Sequence, residues 1–130
     1  MRTRILVVDD EPAIADLLRQ YLRRLMDNFE IIPAMSGKEA IELVKSMMDN
    51  GQPPDITLMD LKMPEMDGIE CTEELTTIGL SNIHILSAYV DPELTSRAIN
   101  AGVNGIMKKA EGFKVVAGRL ASMVRALHNS

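Results

Sequence analysis

Residues 56–68 read ITLMDLKMPEMDG, a stretch that joins the end of a strand to the start of a helix. The run Ile56–Met59 has the length and apolar character of a strand that is buried on both faces. It ends at Asp60, and Asp67 with Glu70 three residues later has the spacing of a capping box that begins a helix. The stretch therefore predicts one strand–loop–helix unit with an acidic residue directly after the strand.

The same unit recurs along the chain, so that short apolar runs alternate with segments of helical periodicity. Helix starts are marked by Pro12, by the pair Ser36 and Glu39 with capping-box spacing, and by Asp91 before a proline. The alternation predicts an α/β fold, (βα)5, with a doubly wound parallel sheet and helices on both faces. The predicted strands are residues 5–8, 29–33, 56–59, 83–86 and 105–107, and the predicted helices begin at Pro12, Ser36, Asp67, Asp91 and about Gly112.

Two details of this prediction concern the ends of helices. The first helix carries an apolar stripe from Ile14 to Leu25, with the spacing of one buried helix face. The fifth helix should reach about Leu127, which leaves His128 in a frayed tail. Gly105 lies in the fifth predicted strand, and glycine makes the sequence signal for this strand the weakest of the five. We expect one domain over residues 1–130, with its core between about 4 and 127.

Composition and charge restrict what a chain of 130 residues can do. A net charge of −5 argues against direct binding of the domain to nucleic acid. No apolar run approaches the length of a membrane span, and a single cysteine cannot form an internal disulfide. We therefore expect a cytoplasmic protein without membrane contact, in which Cys71 and Met66 flank the Asp67 cap as structural residues.

Ionisable and hydroxyl side chains follow four of the predicted strands. Asp9 and Asp10 follow the first strand and Asp60 the third, while Ser87 ends the fourth and a lysine pair follows the fifth. Functional residues of parallel α/β sheets gather beyond the carboxyl ends of the strands. Crowded carboxylates raise one another's pKa values or bind a cation, and an all-oxygen site with room for water and phosphate suits Mg²⁺.

These residues, in this order and on these elements, resemble those of bacterial response-regulator receiver domains over about residues 4–127. The stretch from Asp60 to Gly68, with its Met-Pro-x-Met-Asp-Gly ending, is the most specific part of the resemblance. The resemblance implies a flavodoxin-like sheet with strand order 2-1-3-4-5. It also implies a phosphorylation switch of a two-component system.

The resemblance assigns a role to each residue of the site. Asp60 is the phosphoacceptor, and Mg²⁺ is held by Asp9, Asp10, Asp60 and the backbone carbonyl of Lys62. Ser87 and a lysine contact the phosphoryl group. In the family the active lysine lies seven residues after the glycine that ends helix four, which selects Lys109 over Lys108. The implied donor is a histidine kinase or histidine phosphotransfer protein, and the domain modifies itself rather than acting as an enzyme with turnover.

Phosphorylation is expected to change the surface formed by helix four, strand five and helix five, which a downstream partner or output domain reads. A homodimer formed on activation is compatible with the resemblance. Four residues bear on this switch. Ile106 and Ala110 replace the aromatic residue and the proline that the family commonly has there, and the bond before Ala110 is expected to be trans. Tyr89 and Lys62 occupy positions that tune the lifetime of the phosphoryl group in the family.

Other classes of protein fit the chain less well. Haloacid-dehalogenase-type enzymes carry a second Asp two residues after the nucleophile, where this chain has Lys62. A flavodoxin-like electron carrier needs a phosphate-binding loop where the chain has acidic residues, and no nucleotide-binding glycine motif occurs. The alternative that stays open is a pseudo-receiver, an interaction module that never carries phosphate. His84 and His128 have no metal-ligand partner at the usual spacing and are interpreted as structural.

Overall fold

The computed structural model describes residues 2–129, which contain five strands alternating with five α-helices, together with one short 3₁₀ helix. No helix within residues 2–129 is long and apolar enough to cross a membrane. The strands are β1 (Thr3–Val8), β2 (Phe29–Ala34), β3 (Ile56–Met59), β4 (Ile83–Ser87) and β5 (Gly105–Lys108). The helices are α1 (Pro12–Leu22), α2 (Gly37–Asp49), α3 (Gly68–Thr77), α4 (Pro92–Ala101), the 3₁₀ helix Lys109–Glu111 and α5 (Phe113–His128).

The strands form one parallel sheet in the order β2-β1-β3-β4-β5, which confirms the predicted fold and strand order. Its register aligns the carboxyl ends of neighbouring strands. Val8 pairs with Met59, and Ser87 pairs with Lys108. Residues that directly follow β1, β3 and β5 therefore lie along the same edge of the sheet.

The sheet separates two hydrophobic cores, because successive side chains of a strand point to opposite faces. Leu6, Val8 and Met59 pack with residues of α2, α3 and α4 on one face. Val7 and Leu58 pack with residues of α1 and α5 on the other. Burial on both faces explains why β1 and β3 are continuous apolar runs rather than alternating ones.

Side-chain caps begin α2, α3 and α4, as the sequence predicts, with one difference in detail. Asp67 and Glu70 form the complete reciprocal capping box of α3. The Ser36 hydroxyl accepts the Glu39 N–H at the start of α2, but the Glu39 carboxylate accepts the N–H of Met35 instead of that of Ser36. The reciprocal half of the predicted box is thus displaced by one residue.

Two predictions at helix ends are wrong. Helix α1 ends at Leu22, and Leu25, predicted in its buried stripe, is 46% exposed. The chain turns there towards β2, and Met26 packs against the α1–α5 core. Helix α5 includes His128, whose Nε2 lies 3.0 Å from the Thr3 hydroxyl. This contact with the start of β1 holds a residue that the sequence places in a frayed tail.

The structure accounts for Gly105, the residue that weakens the sequence signal for β5. A Cβ atom at Gly105 would lie 2.8 Å from Nδ1 of His84 on the neighbouring strand. The His84 ring is buried, which lowers its pKa, and its Nε2 lies 2.9 Å from Oδ1 of Asn82. His84 is therefore a structural residue, and glycine provides the space that its ring needs.

Candidate functional site

Three aspartates meet where β1 and β3 end. The backbone N–H of Asp60 donates to the carbonyl of Val8, which fixes the loop after β3 against the end of β1. Asp9, Asp10 and Asp60 each offer a carboxylate oxygen, and these oxygens all lie within 4.8 Å of one another. Asp9 and Asp60 are 4% and 6% exposed, whereas Asp10 is open to solvent. Two desolvated carboxylates beside an accessible third form an all-oxygen donor set that fits Mg²⁺.

Gly68 allows the loop after Asp60 to fold tightly. Its N–H donates to the carbonyl of Leu61 at 2.9 Å, and a Cβ on Gly68 would lie only 2.0 Å from the carbonyl oxygen of Asp60. The N-terminus of α3 therefore contacts the backbone of the acidic residue directly. A steric requirement of this kind explains why the motif ends in glycine.

The lysine next to the acidic cluster is Lys109. Its Nζ lies 2.7 Å from Asp9 and 3.7 Å from Asp60, and its side chain is 13% exposed. Strand β5 ends at Lys108, which is exposed, and the 3₁₀ helix that follows turns the next side chain back over the sheet edge. The structure thus brings the lysine selected by counting from Gly102, and not its neighbour, to the carboxylates.

The charges of the cluster perturb one another. Burial, followed by the charge of Asp9, raises the pKa of Asp60 from 3.8 to about 6, although Lys109 partly opposes the increase. Burial alone would lower the pKa of Lys109, but its hydrogen bond with Asp9 and the charges of Asp60 and Asp9 give a net increase. Lys109 therefore stays cationic, and the site holds more negative than positive charge at neutral pH, an environment that attracts a cation.

The remaining predicted site residues lie on β4 and β5 and in the segments that follow β3, β4 and β5. Ser87 is 2% exposed at the end of β4, the strand beside β3. Tyr89 is 55% exposed, and Nζ of Lys62 lies 5.5 Å from the centre of its ring. Ile106 is half-buried against the α2–α4 core, and Ala110 is exposed in the 3₁₀ helix. The peptide bond before Ala110 is trans, as predicted, since residues 2–129 contain no cis bond.

Comparison with known proteins assigns the family. The family model described as the response regulator receiver domain matches residues 5–121. The chain belongs to this family. The transcriptional regulatory protein PdtaR of Mycobacterium tuberculosis is 34% identical to the receiver domain over 107 residues, which cover 82% of this chain and 49% of PdtaR. The response regulator protein VraR of Staphylococcus saprophyticus is 31% identical over the whole chain, which covers 58% of VraR.

The receiver domain therefore spans about half the length of the curated relatives it matches. Among solved structures, a chain of the CheX–CheY–BeF3–Mg²⁺ complex from Borrelia burgdorferi is 27% identical, with a TM-score of 0.79. That match covers 94% of this chain and 89% of the other. These similarities identify a signalling domain of two-component systems.

Sequence reasoning missed the contacts that two glutamates make near Lys109. Glu11 lies 3.8 Å from Nζ of Lys109, and its backbone N–H donates to Oδ1 of Asp9. Glu111 accepts the N–H of Lys108 and pairs with Arg119. The first contact depends on tertiary structure, but Glu111 lies three residues after Lys108, the spacing of a local side-chain cap, and that signal is present in the sequence.

Proposed function

We propose that this receiver domain is a phosphorylation-activated switch that accepts a phosphoryl group on Asp60. The observation that carries the proposal is the position of the buried Asp60 carboxylate, which lies beside two further aspartates and 3.7 Å from Nζ of Lys109. The donor is a phosphohistidine on a histidine kinase or phosphotransfer protein. The domain promotes its own phosphorylation and dephosphorylation, and has no turnover on other substrates.

In the reaction, a carboxylate oxygen of Asp60 forms a bond to phosphorus as the bond from phosphorus to the donor nitrogen breaks. The donor imidazole leaves with the electron pair of that bond, and the product is an acyl phosphate. Lys109 provides a fixed positive charge beside the transferring group, where charge stabilisation lowers the barrier. Without metal, the pKa of Asp60 is about 6, so its carboxylate is mostly ionised, and therefore nucleophilic, at neutral pH.

Mg²⁺ fits the donor set, and Asp9, Asp10, Asp60 and the backbone carbonyl of Lys62 would hold it. When bound, it would neutralise negative charge shared between the carboxylates and the phosphoryl oxygens. The crystal that contains a chain similar to this one also holds BeF3 and Mg²⁺, which supports this chemistry.

The output follows from a change at Ser87. Its hydroxyl can donate a hydrogen bond to a phosphoryl oxygen on Asp60, which draws the loop after β4 towards the site. The shift reaches Ile106, which pairs with Ile85 on β4 and is half-buried against the neighbouring core, and changes the surface of α4, β5 and α5. A downstream partner, an output domain or a second copy of the chain then reads this surface. The names of PdtaR and VraR as regulatory proteins are in keeping with such an output.

Intact-mass measurement with acetyl phosphate tests the proposal. The wild-type protein with Mg²⁺ should gain the mass of one phosphoryl group, whereas Asp60→Asn and a chelator-treated sample should gain none. Asp16→Asn is the matched control, because Asp16 is an exposed aspartate on α1 that pairs with Arg19. No adduct on a folded wild-type protein that binds Mg²⁺ would instead support a pseudo-receiver that acts only as a binding module.

A further inference from the structure

The segment that carries Lys109 lacks the proline that commonly stiffens it in receiver domains. Ala110 follows the lysine, and the three residues Lys109–Glu111 form a single 3₁₀ turn. At the end of the turn, the N–H of Gly112 donates to the carbonyl of Lys109, at 3.0 Å. Gly112, which follows the turn, has a φ of 94°, a conformation that glycine adopts without strain. Asp9 holds the ammonium group at one end of the Lys109 side chain, and the contacts of the turn bear on the backbone at the other end.

The carboxylate of Glu111 bonds to both sides of the turn. One oxygen accepts the backbone N–H of Lys108 at 3.3 Å, which closes a ring around Lys109 and Ala110. The other oxygen lies 2.8 Å from Nη2 of Arg119. A single side chain thus connects the last residue of β5 to a helix that begins beyond the turn.

Helix α5 provides a rigid anchor for this connection. Arg119 lies between Val116 and Leu120 along the helix, and both of these residues are fully buried in the α1–α5 core. The Glu111–Arg119 ion pair is partly exposed, with side-chain exposures of 30% and 48%, so it contributes little to global stability. Through Glu111, the pair nevertheless connects α5 to the last residue of β5, directly before the residue whose side chain reaches the acidic cluster.

We infer that Glu111 is a positioning residue for Lys109: with Arg119 it holds the 3₁₀ turn so that the ammonium group stays at Asp9 and Asp60. The inference rests on the proposed function, because it assigns Glu111 to phosphorylation of Asp60. It explains how the site keeps an ordered lysine, with a side chain 13% exposed, although alanine follows that lysine.

The test compares phosphorylation rates with acetyl phosphate and Mg²⁺ in variants that remove one contact each. Glu111→Ala removes both contacts and should slow phosphorylation about tenfold, since small displacements of a charge-stabilising group have large effects on rate. Glu111→Gln keeps an oxygen for the Lys108 N–H but loses the charge, and Arg119→Ala removes only the ion pair. Both should have intermediate rates. Glu42→Ala, at an exposed glutamate on α2, is the matched control and should keep the wild-type rate.

A double-variant comparison separates positioning from general damage. If Glu111 acts through Lys109, adding Glu111→Ala to Lys109→Ala should change the remaining rate by less than about twofold. The melting temperature of Glu111→Ala should stay near that of the wild type. A wild-type rate in Glu111→Ala, or a full tenfold additional loss in the Lys109→Ala background, would overturn the inference.

Hydrogen–deuterium exchange tests the contact without phosphorylation. Amides of residues 109–113 should exchange faster in Glu111→Ala than in the wild type, whereas those of residues 116–124 should not change. If the wild-type protein takes no phosphoryl group, the proposed function fails, and the exchange result alone decides whether Glu111 orders the turn. Unchanged exchange at residues 109–113 would overturn the inference in either case.

Discussion

Replacing Asp60 with asparagine should stabilise the metal-free receiver domain at neutral pH. Burial and the charge of Asp9 raise the pKa of Asp60 from 3.8 to about 6, so ionising this residue in the folded state costs free energy that the unfolded chain does not pay. At about 1.36 kcal/mol for each pKa unit, the cost is about 3 kcal/mol. Asparagine has nearly the same shape and carries no charge, and Lys109 keeps its contact with Asp9.

The sign of the pH dependence follows from the raised pKa. Below pH 3.8 Asp60 is protonated in both states, and the wild type and Asp60→Asn should have similar free energies of unfolding. As the pH rises from about 4 to about 6, the unfolded wild type loses its proton before the folded one, so wild-type stability falls relative to the variant. Above about pH 7 the difference should stay constant, at about 3 kcal/mol.

Urea unfolding in the presence of a chelator, followed by circular dichroism between pH 4.5 and 8, measures this difference. Asp16→Asn, at an exposed position, should differ from the wild type by less than about 0.5 kcal/mol at every pH. Mg²⁺ at about 100 times its Kd should cancel most of the difference between the wild type and Asp60→Asn, because it stabilises the folded wild type by about 2.7 kcal/mol. A difference that does not change with pH, or an Asp60→Asn protein that is less stable than wild type at pH 7.5 in chelator, would refute the electrostatic reasoning.

Three further substitutions test the packing around the site. Gly68→Ala should slow phosphorylation by about 10²-fold, because its Cβ would overlap the carbonyl oxygen of Asp60 and displace the loop; acetyl phosphate labelling measures this. Thr57→Val should raise the free energy of unfolding by about 1 kcal/mol in urea, since the buried Thr57 hydroxyl has no hydrogen-bond partner within residues 2–129. A lower free energy of unfolding for Thr57→Val would contradict the statement that this hydroxyl is unpaired. Gly105→Ala should destabilise the fold by about 1–3 kcal/mol through contact with His84, and calorimetry showing no loss would mean that the ring moves freely.

The parts of the fold that could be predicted from sequence depend on local patterns. Apolar runs predict β1 and β3 because burial on both faces makes every residue of a run apolar, and Asp67 with Glu70 predicts the start of α3 because a cap uses residues three apart. Lys109 could be chosen over Lys108 because the resemblance implies a spacing of seven residues from Gly102.

The parts that could not be predicted depend on contacts between distant residues. Leu25 and Met26 are both apolar, and only the turn into β2 decides that Met26 is the one that packs inward. His128 is ordered by Thr3, at the opposite end of the chain. The steric need for Gly68 becomes visible only when α3 lies against the backbone of Asp60.

Trapping the acyl phosphate is the most direct test of the central claim, that Asp60 accepts the phosphoryl group. The protein is incubated with acetyl phosphate and Mg²⁺ and then treated with borohydride, which reduces an aspartyl phosphate to homoserine, and its peptides are sequenced by mass spectrometry. The account predicts homoserine at position 60 and unmodified aspartate at positions 9 and 10. Homoserine at either of those two positions, or at none of the three in a protein that has gained a phosphoryl group, would contradict it.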